Sequence, residues 1–398
     1  MTPPDIMTLD DVERVRAQTP GCATLTHFNH SSCSLPSLGT LRAVTEHLQR
    51  EAFLGPSEAG IAVADAVQET RRAAAALLNC DTAEIALTGS GSQGWGSAFA
   101  ALPPLRPGDR ILVGRHEWGG NLATMHAAAD RAGASVETIP CAEDSTVSPE
   151  ALAGMIDSRV RLIALTWLPA NGGLINPAAA IGGIARAAGI PYFVDAGQAL
   201  GQVPADVREI GCDVLKGAGR KYLRGPRGTA LLYVRRGFLD TLRPAFLDVL
   251  SAPWTGDGPA LRDDARRFET SENAFALQLG LGAAIRECLA LGVPTIRTRI
   301  DGLAERLRAA LGEVQGVTLR DLGTERSAIV SFTVAGMGAQ EARRRLADRR
   351  INLAAIGAGY TPLDMRARGL SEVVRASVSY FTTEEEIDRL AASVAALG

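Results

Sequence analysis

The chain has 398 residues, of which 46% are hydrophobic, and it carries a formal net charge of −3 with a sequence pI near 6.0. This weakly acidic balance gives no electrostatic footprint for nucleic acid or for a membrane surface, so we expect neither as a partner. Residues 1–19 lack the apolar region of a signal peptide, and the six widely spaced cysteines form no C-x-x-C pair, which favours free thiols in a reducing cytoplasm and no bound metal.

Short apolar strands alternate with helices in the first part of the chain. Strands are predicted at residues 84–88, 110–113, 135–139, 160–166, 192–195 and 229–234. Helices are predicted at residues 65–79, 93–102, 121–132, 149–156 and 177–188. Apolar strands separated by helices of this length indicate a mostly parallel α/β sheet that is covered on both faces.

The pattern changes after Pro259. Helices are predicted at residues 273–291, 295–311 and 342–348, and short strands at 317–319, 328–334 and 375–379. A last helix is predicted to begin at Thr383, where Glu386 would complete a capping box. Together these segments indicate a smaller α+β layer.

This change of pattern predicts three parts of the chain. Residues 1–24 are expected to form an N-terminal arm that contributes to the small domain. Residues 25–272 are expected to form the large, ligand-binding domain, and residues 273–398 the small C-terminal domain.

The chain contains only two lysines, Lys216 and Lys221, because nearly every basic position is arginine. A lysine amine can lose its proton and condense with an aldehyde, whereas a guanidinium stays protonated and cannot. Lys221 lies in the glycine-punctuated segment 219–228 at the edge of a predicted strand, so we expect it to be a nucleophile. Lys216 is interpreted as a solvated surface residue.

Two further features follow predicted strands, at the edge where open α/β sheets bind ligands. The turn T-G-S-G-S-Q-G at residues 88–94 leads into a helix. The N–H groups around Gly91 and the hydroxyls of Ser90 and Ser92 would suit a phosphate at the positive end of that helix, although the same letters fit the G-x-G-x-x-G pattern of dinucleotide sites. Asp195 directly follows a strand and could be a helix cap or a buried carboxylate that pairs with a ring nitrogen.

Taken together, these residues predict a pyridoxal 5'-phosphate (PLP) site. Lys221 would form an imine with the aldehyde, and Asp195 would keep the pyridine nitrogen protonated so that the ring can accept electrons from a Cα carbanion. The turn at Ser90 and Ser92, with Arg220, would hold the phosphate. His116, which follows the strand at 110–113, would stack on the ring, although a lone histidine at a strand end is more often structural.

Two motifs resemble the signature of class V aminotransferases, which are fold-type I PLP enzymes. These are D-x-x-Q beginning at Asp195 and R-K-Y-L-x-G-P-x-G beginning at Arg220. The resemblance implies a large domain with a mostly parallel seven-stranded sheet, a smaller α+β C-terminal domain, and a homodimer with shared active sites.

The resemblance also implies roles for individual residues. By position, Lys221 matches the Schiff-base lysine, Asp195 the pyridine partner, Gln198 the contact to the 3'-oxygen of PLP, His116 the stacking histidine and Arg375 the arginine that binds the substrate carboxylate.

Further roles are implied by neighbouring positions. Ser271 lies in the segment whose hydroxyl reaches the phosphate of the neighbouring subunit. Ala170 stands where the family usually has Asn or Ser, so a cofactor contact is expected to move to Asn171. Ser32 and Tyr360 are expected to contact the substrate.

The segments at residues 30–34, 51–55, 195–201 and 220–228 resemble those of the hercynylcysteine sulfoxide lyase subfamily, and similar enzymes process S-conjugated cysteines. Cysteine desulfurases carry a nucleophilic cysteine in the stretch that corresponds to residues 354–362, and this chain has none there. We therefore expect a cytoplasmic Cβ–S lyase that acts on a small amino-acid substrate by β-elimination and releases thiol or sulfenate, pyruvate and ammonia. An epimerase, an aminotransferase or a decarboxylating deaminase that also uses PLP, and an NAD-dependent dehydrogenase, remain alternatives.

Overall fold

The computed structural model describes residues 6–397, so the first five residues of the predicted N-terminal arm and Gly398 of the predicted C-terminal domain lie outside the described residues. The strands are β1 (Thr26–His27), β2 (Ile85–Thr88), β3 (Arg110–Gly114), β4 (Ser135–Ile139), β5 (Val160–Thr166), β6 (Tyr192–Asp195), β7 (Val214–Ala218), β8 (Ala230–Val234), β9 (Trp254–Thr255), β10 (Gly258–Pro259), β11 (Val317–Leu319), β12 (Ile329–Val334), β13 (Ile351–Asn352), β14 (Ala354–Gly357) and β15 (Glu372–Ser377). The α-helices are α1 (Leu9–Ala17), α2 (Leu38–Leu54), α3 (Pro56–Ala62), α4 (Ala64–Leu78), α5 (Gly91–Ala100), α6 (Gly119–Ala132), α7 (Pro149–Met155), α8 (Ala178–Ala188), α9 (Val207–Ile210), α10 (Arg236–Leu239), α11 (Phe275–Leu291), α12 (Val293–Gly312), α13 (Ala339–Ala347), α14 (Pro362–Ala367) and α15 (Glu384–Ala395).

A seven-stranded sheet forms the centre of the fold, in the order β2-β8-β7-β6-β5-β3-β4. Strand β8 runs antiparallel to both of its neighbours, and the other strand pairs of this sheet are parallel. The prediction of a mostly parallel seven-stranded sheet is therefore confirmed.

Helices cover both faces of this sheet. Alternate side chains of its central strands accordingly enter two separate apolar clusters, one on each face. On β5, Leu162 and Ala164 belong to one cluster, whereas Ile163 and Leu165 belong to the other. Side chains on a strand alternate between faces, so a strand that is buried on both sides reads as a continuous apolar run.

Strand β7 is the one strand of this sheet that the sequence pattern does not predict. Lys216 and Gly217 interrupt its apolar run, yet β7 lies between β6 and β8 in the middle of the sheet. The interpretation of Lys216 as a solvated surface residue is wrong, because only 6% of this residue is exposed.

A second, antiparallel sheet has the order β11-β12-β15-β14. Helix α12 packs on β11 and β12, and α13 packs on β14 and β15. Helix α15 begins after Thr383, whose side chain and that of Glu386 form the predicted capping box.

The N-terminal segment contacts the C-terminal part of the chain. Strand β1 pairs in parallel with β13, and Arg16 lies 2.9 Å from Glu386. The proposed domain boundaries, 1–24, 25–272 and 273–398, remain a prediction.

No single helix among residues 6–397 is long and apolar enough to cross a membrane, although α11 and α12, bent by 80° at their junction, pass that test as a pair by length and composition.

Candidate active site

A cavity of about 350 Å³ opens where the carboxyl ends of β5, β6 and β7 meet the beginning of α5. Parallel strands deliver their carboxyl-terminal residues to one edge of the sheet, which explains why residues distant in sequence meet here. The cavity is lined by Gly89, Ser90, Gly91, Ser92, Trp118, Thr166, Leu168, Ala170, Asp195, Gly197, Gln198, Lys216, Ala218, Arg220, Lys221, Arg227, Gly228 and Thr229.

The Asp195 carboxylate lies at the end of β6 and is only 5% exposed. Its Oδ1 accepts a hydrogen bond from the Gly197 N–H at 2.9 Å, and its Oδ2 accepts one from Asn121 Nδ2 at 3.1 Å. Oδ2 also lies 2.8 Å from Lys216 Nζ. A carboxylate offers about four lone-pair directions, so these three donors leave room for one more.

Lys216 reaches Asp195 because the two residues are opposite each other in the β6–β7 ladder. Its side chain passes close to Gly91, where an added Cβ would lie 2.9 Å from Lys216 Cδ. Its amine also lies 6.0 Å from the centre of the Trp118 ring, on which a cation can rest favourably. Lys216 is therefore a cavity residue whose side chain lies among Asp195 at the end of β6, the start of α5 and the Trp118 ring.

Lys221 presents its amine to the same cavity from the loop after β7. A Cβ built on Gly197 would lie 3.6 Å from Lys221 Nζ and 2.9 Å from Asp195 Oδ1, so the lysine and the carboxylate flank that glycine. Burial lowers the pKa of Lys221 well below its ordinary value; the charge of Asp195 opposes this shift, whereas nearby Lys216 reinforces it. A lysine with a lowered pKa is a better amine nucleophile at neutral pH.

The turn before α5 supplies the anion-binding end of the cavity. Ser90 caps the helix by accepting a hydrogen bond from the Gln93 N–H at 3.1 Å, which leaves the serine O–H free to donate. The first N–H groups of an α-helix have no intrahelical partner, and they lie at the positive end of its dipole. Gly91, Ser92 and Arg220 also line the cavity, as predicted for a phosphate site.

His116 does not line the cavity, so the structure does not support its predicted stacking role. Its side chain is buried, and its Nε2 lies 3.5 Å from Asp364 on α14. Burial lowers the pKa of His116 to about 4, so the ring is neutral at pH 7. The turn after β3 directs His116 toward α14 and Trp118 into the cavity, and Trp118 is therefore the aromatic residue placed to cover a ring.

Behind Asp195 lies a buried polar chain that the sequence pattern did not reveal. Asn121 Nδ2 bridges Asp195 and Glu117, with Glu117 Oε1 at 2.7 Å, and the Thr166 hydroxyl donates to the same Oε1 at 3.0 Å. Glu117 Oε2 is buried without a hydrogen-bond partner. Burial, assisted by the charge of Asp195, raises the pKa of Glu117 to about 7.

Gln198 lines the cavity as predicted, whereas Asn171 does not. Gln198 Nε2 donates to the Ser31 carbonyl at 2.9 Å, and its Oε1 is buried without a partner. Asn171 Nδ2 donates to the Thr361 hydroxyl at 3.0 Å, which holds it toward α14.

Arg375, Ser32 and Tyr360 lie around the cavity rather than in its lining. Arg375 Nη1 donates to the carbonyl of Ala170, a lining residue, at 2.9 Å, and Nη2 donates to the Ser32 hydroxyl. Arg375 Nε is buried without a partner, and burial lowers the pKa of this guanidinium to about 10. Tyr360 packs edge-on against Trp118, with ring centres 5.3 Å apart.

Ser271 lies apart from the cavity in its own chain. Its hydroxyl donates to Asp248 Oδ2 at 2.9 Å on the protein surface. A contact from Ser271 to the site of a neighbouring subunit remains a prediction.

The residues of this cavity fit PLP. Asp195 keeps one acceptor direction free for a pyridine N–H, Gln198 Oε1 is an unused buried acceptor, and the start of α5 offers donors to a phosphate. A ring nitrogen and an aldehyde lie on opposite sides of the PLP ring, so the lysine that touches Asp195 is at the nitrogen end. If Asp195 pairs with the ring nitrogen, Lys221 is therefore the lysine of this cavity that would meet the aldehyde.

Known proteins show the same architecture. Residues 40–390 match the family model of aminotransferase class V. A probable cysteine desulfurase of Xylella fastidiosa (strain 9a5c) is 31% identical over 345 residues, which cover 84% of this chain and 81% of that protein. A probable hercynylcysteine sulfoxide lyase of Mycobacterium tuberculosis (strain CDC 1551 / Oshkosh) is 31% identical over 389 residues, covering 96% and 93% of the two chains. The cystine C–S lyase C-DES, solved with its reaction product cysteine persulfide, superposes with a TM-score of 0.86 at 26% identity and covers 95% of this chain and 99% of its own.

C-DES has also been solved, in a lysine-substituted form, with glycine covalently linked to its PLP cofactor. The predicted cofactor and fold type are thereby confirmed, and the NAD alternative is set aside. The chain belongs to the aminotransferase class-V family, whose members depend on PLP.

Proposed function

We propose that this enzyme cleaves the Cβ–S bond of an S-substituted cysteine, a thioether or a sulfoxide, by β-elimination. The products would be a thiol or sulfenate, pyruvate and ammonia. The observation that carries the proposal is the meeting of Lys221 and Asp195 in one cavity beside Arg375, without a cysteine in the loop that leads from β14 to α14.

PLP supplies an electron sink for the negative charge that develops at the substrate Cα. Asp195 holds the proton on the pyridine nitrogen, and the free N–H of Arg375 Nε offers a donor to the substrate carboxylate. With the carboxylate fixed, Lys221 Nζ accepts the Cα proton as general base. The Cβ–S bond then breaks with its electron pair on sulfur, and water converts the remaining enamine to pyruvate and ammonia.

The surroundings of the loop favour elimination over persulfide formation. The stretch 354–362 contains no cysteine, so no thiol is offered there to take sulfur from the substrate. Cys212 and Cys288 are buried, and burial raises the pKa of both thiols. Departure of a thiolate from Cβ needs no second nucleophile.

A panel of cysteine S-conjugates tests the proposal. Incubation with S-alkyl cysteines should release pyruvate and thiol in equal amounts, measured by coupled dehydrogenase assay and thiol titration. Their sulfoxides should release pyruvate and a sulfenate, which is titrated as thiol after chemical reduction. Lys221→Ala should lose turnover and the yellow colour of the bound cofactor. Cys33, a partly exposed free cysteine, directly follows Ser32, whose hydroxyl accepts from Arg375. Cys33→Ser should retain both turnover and colour, because elimination uses no enzyme thiol.

Other outcomes would point elsewhere. Amino transfer to a keto acid without thiol release would indicate an aminotransferase, and racemisation without pyruvate an epimerase. Loss of sulfur release in Cys33→Ser would indicate that this thiol receives sulfur from the substrate.

A further inference from the structure

The cavity holds two lysines but only one carboxylate that faces them. Asp195 is taken by Lys216, whose Nζ lies 2.8 Å from Oδ2. Among residues 6–397, Lys221 forms no salt bridge, although Asp195 lies across Gly197 from it. Asp195 is therefore paired with Lys216, at the nitrogen end of the cofactor site, and not with Lys221, which would meet the aldehyde.

This choice is fixed by the fold. Asp195 and Lys216 are register partners in the β6–β7 ladder, so their side chains leave the sheet on the same face. Gly91 leaves space for the Lys216 side chain, because a Cβ at that position would collide with Lys216 Cδ at 2.9 Å. Lys216 is 6% exposed and cannot swing into solvent without leaving Asp195 unpaired in a buried site.

The remaining charges around Lys221 are mostly positive. Asp195 on β6, Lys216 on β7, the adjacent Arg220 and Arg375 on β15 act on its amine. Glu117 lies behind Asp195 and is linked to it through Asn121. With Asp195 neutralised by Lys216, a proton on Lys221 would add a further positive charge to this cluster, which disfavours the protonated amine.

We propose that Lys216 is a positioning residue: it occupies Asp195 in the cofactor-free chain and so keeps Lys221 as a free amine that can capture PLP. The capture step is ordinary imine formation, in which the Nζ lone pair attacks the aldehyde carbon and water leaves as the C=N bond forms. This inference rests on the proposed role of Lys221 and adds to it the reason why the amine is reactive.

The low number of lysines makes the test direct. Full-length protein labelled with [ε-¹³C]lysine and freed of PLP should give two lysine Cε signals, which Lys221→Arg assigns. We expect the Lys221 signal to titrate well below the ordinary lysine range. In Lys216→Met the midpoint of Lys221 should rise by about one pH unit or more, because a like charge is removed and Asp195 is released to pair with Lys221.

PLP capture supplies a second measurement. At a pH below the Lys221 midpoint of the wild type, the rate at which Lys216→Met gains the cofactor absorbance should fall about tenfold, because there the fraction of free amine falls tenfold for each unit by which the midpoint rises. Lys216→Arg, which keeps the cation, should restore the midpoint and most of the rate. Lys216→Gln provides a second neutral variant that still donates a hydrogen bond to Asp195, for use if the methionine variant does not fold.

The outcomes separate the two proposals. An unchanged Lys221 midpoint in the neutral variants, with capture abolished in Lys221→Ala, would overturn the inference about Lys216 alone. Capture of PLP by Lys221→Ala would mean that the wrong lysine has been assigned, and the proposed function would fail with it.

Discussion

At the scale of single residues, the Asp195 carboxylate organises the site. Its donors come from three places: the Gly197 N–H that follows β6, Asn121 on α6 and Lys216 on β7. Hydrogen bonds to a charged group in a buried site are stronger than those between neutral groups, so this arrangement holds the carboxylate in one orientation. Asp195 can therefore meet a ring nitrogen without first rearranging.

Glu117 gives this polar chain a pH dependence. Burial raises its pKa from 4.5 in the unfolded chain to about 7, so between these values the folded protein holds a proton that the unfolded chain has lost. The stability contributed by this proton is present below pH 4.5 and is lost as the pH rises through 7. The loss amounts to about 3 kcal/mol for a shift of this size.

We expect Glu117→Gln to remove this dependence, because the amide resembles the protonated acid and can still accept from Asn121 and Thr166. Urea unfolding of the PLP-free protein at pH 5 and pH 8 measures the effect. The variant should gain stability relative to wild type as the pH rises. Parallel stability profiles for the two proteins would show that Glu117 does not titrate in this range.

The residue scale is also where sequence reasoning succeeded and failed most clearly. Lys221 and Asp195 were predicted to share a site because their chemistry is uncommon and both follow strands, and the structure brings both of them to one cavity. His116 and Trp118 lie two residues apart in one turn, and only the three-dimensional course of that turn decides which enters the cavity. The aromatic Trp118 in the same segment was the available signal.

At the scale of elements, most of the large sheet was predictable. The predicted strands at 135–139, 160–166 and 192–195 coincide with β4, β5 and β6. The two central strands, β5 and β6, are buried and mostly apolar, whereas the edge strand β4 is half polar and rich in β-branched residues. Strand β7 was missed because Lys216 and Gly217 interrupt its apolar run. In the structure Lys216 pairs with Asp195, and Gly217 leaves room for the side chain of Leu200.

The start of α6 contacts the loop before α14 directly next to the cavity-lining residue Trp118. A Cβ on Gly119 would lie only 2.1 Å from the Gly359 carbonyl oxygen, so only glycine permits this approach. The loop also carries Tyr360, which packs on Trp118. A displacement of this loop would therefore also move Tyr360 away from the Trp118 ring.

We expect Gly119→Ala to displace this loop, because the added methyl group cannot share space with a backbone carbonyl. Turnover per KM should fall on the order of tenfold to a hundredfold, as is typical when binding groups are misplaced by about 1 Å. Steady-state kinetics with the best conjugate of the panel would measure it. Gly96→Ala, on a helix where an added Cβ meets nothing within 4 Å, is the matched control; equal losses in both variants would contradict the proposed contact.

At the scale of the whole molecule, the N-terminal segment packs against the C-terminal part of the chain. Strand β1 pairs with β13, and Arg16 binds Glu386, so the N-terminal segment is fastened to the antiparallel sheet at the far end of the sequence. Apolar side chains also remain exposed on α2 and α3, among them Leu48, Phe53 and Ile61. Surfaces of this kind are typical of association between copies of a chain.

We predict that association completes the active site through Ser271 of a neighbouring subunit. Loss of one hydrogen bond to a phosphate should weaken PLP binding by about tenfold in Ser271→Ala. Mixing this variant with Lys221→Ala should restore tight PLP binding in a fraction of sites, because a mixed dimer contains one intact pair. Cofactor titration of each variant and of the mixture, with molar mass from light scattering, provides the measurement; a monomeric protein, or a mixture no better than its components, would contradict it.

The placement of both lysines has a practical consequence. Since Lys216 and Lys221 both face one cavity, the outer surface offers no ε-amine to acylating dyes, succinimidyl cross-linkers or amine-coupling resins. Apart from an α-amino terminus, the amines that these reagents can modify therefore lie in a single cavity, and bound coenzyme should shield them.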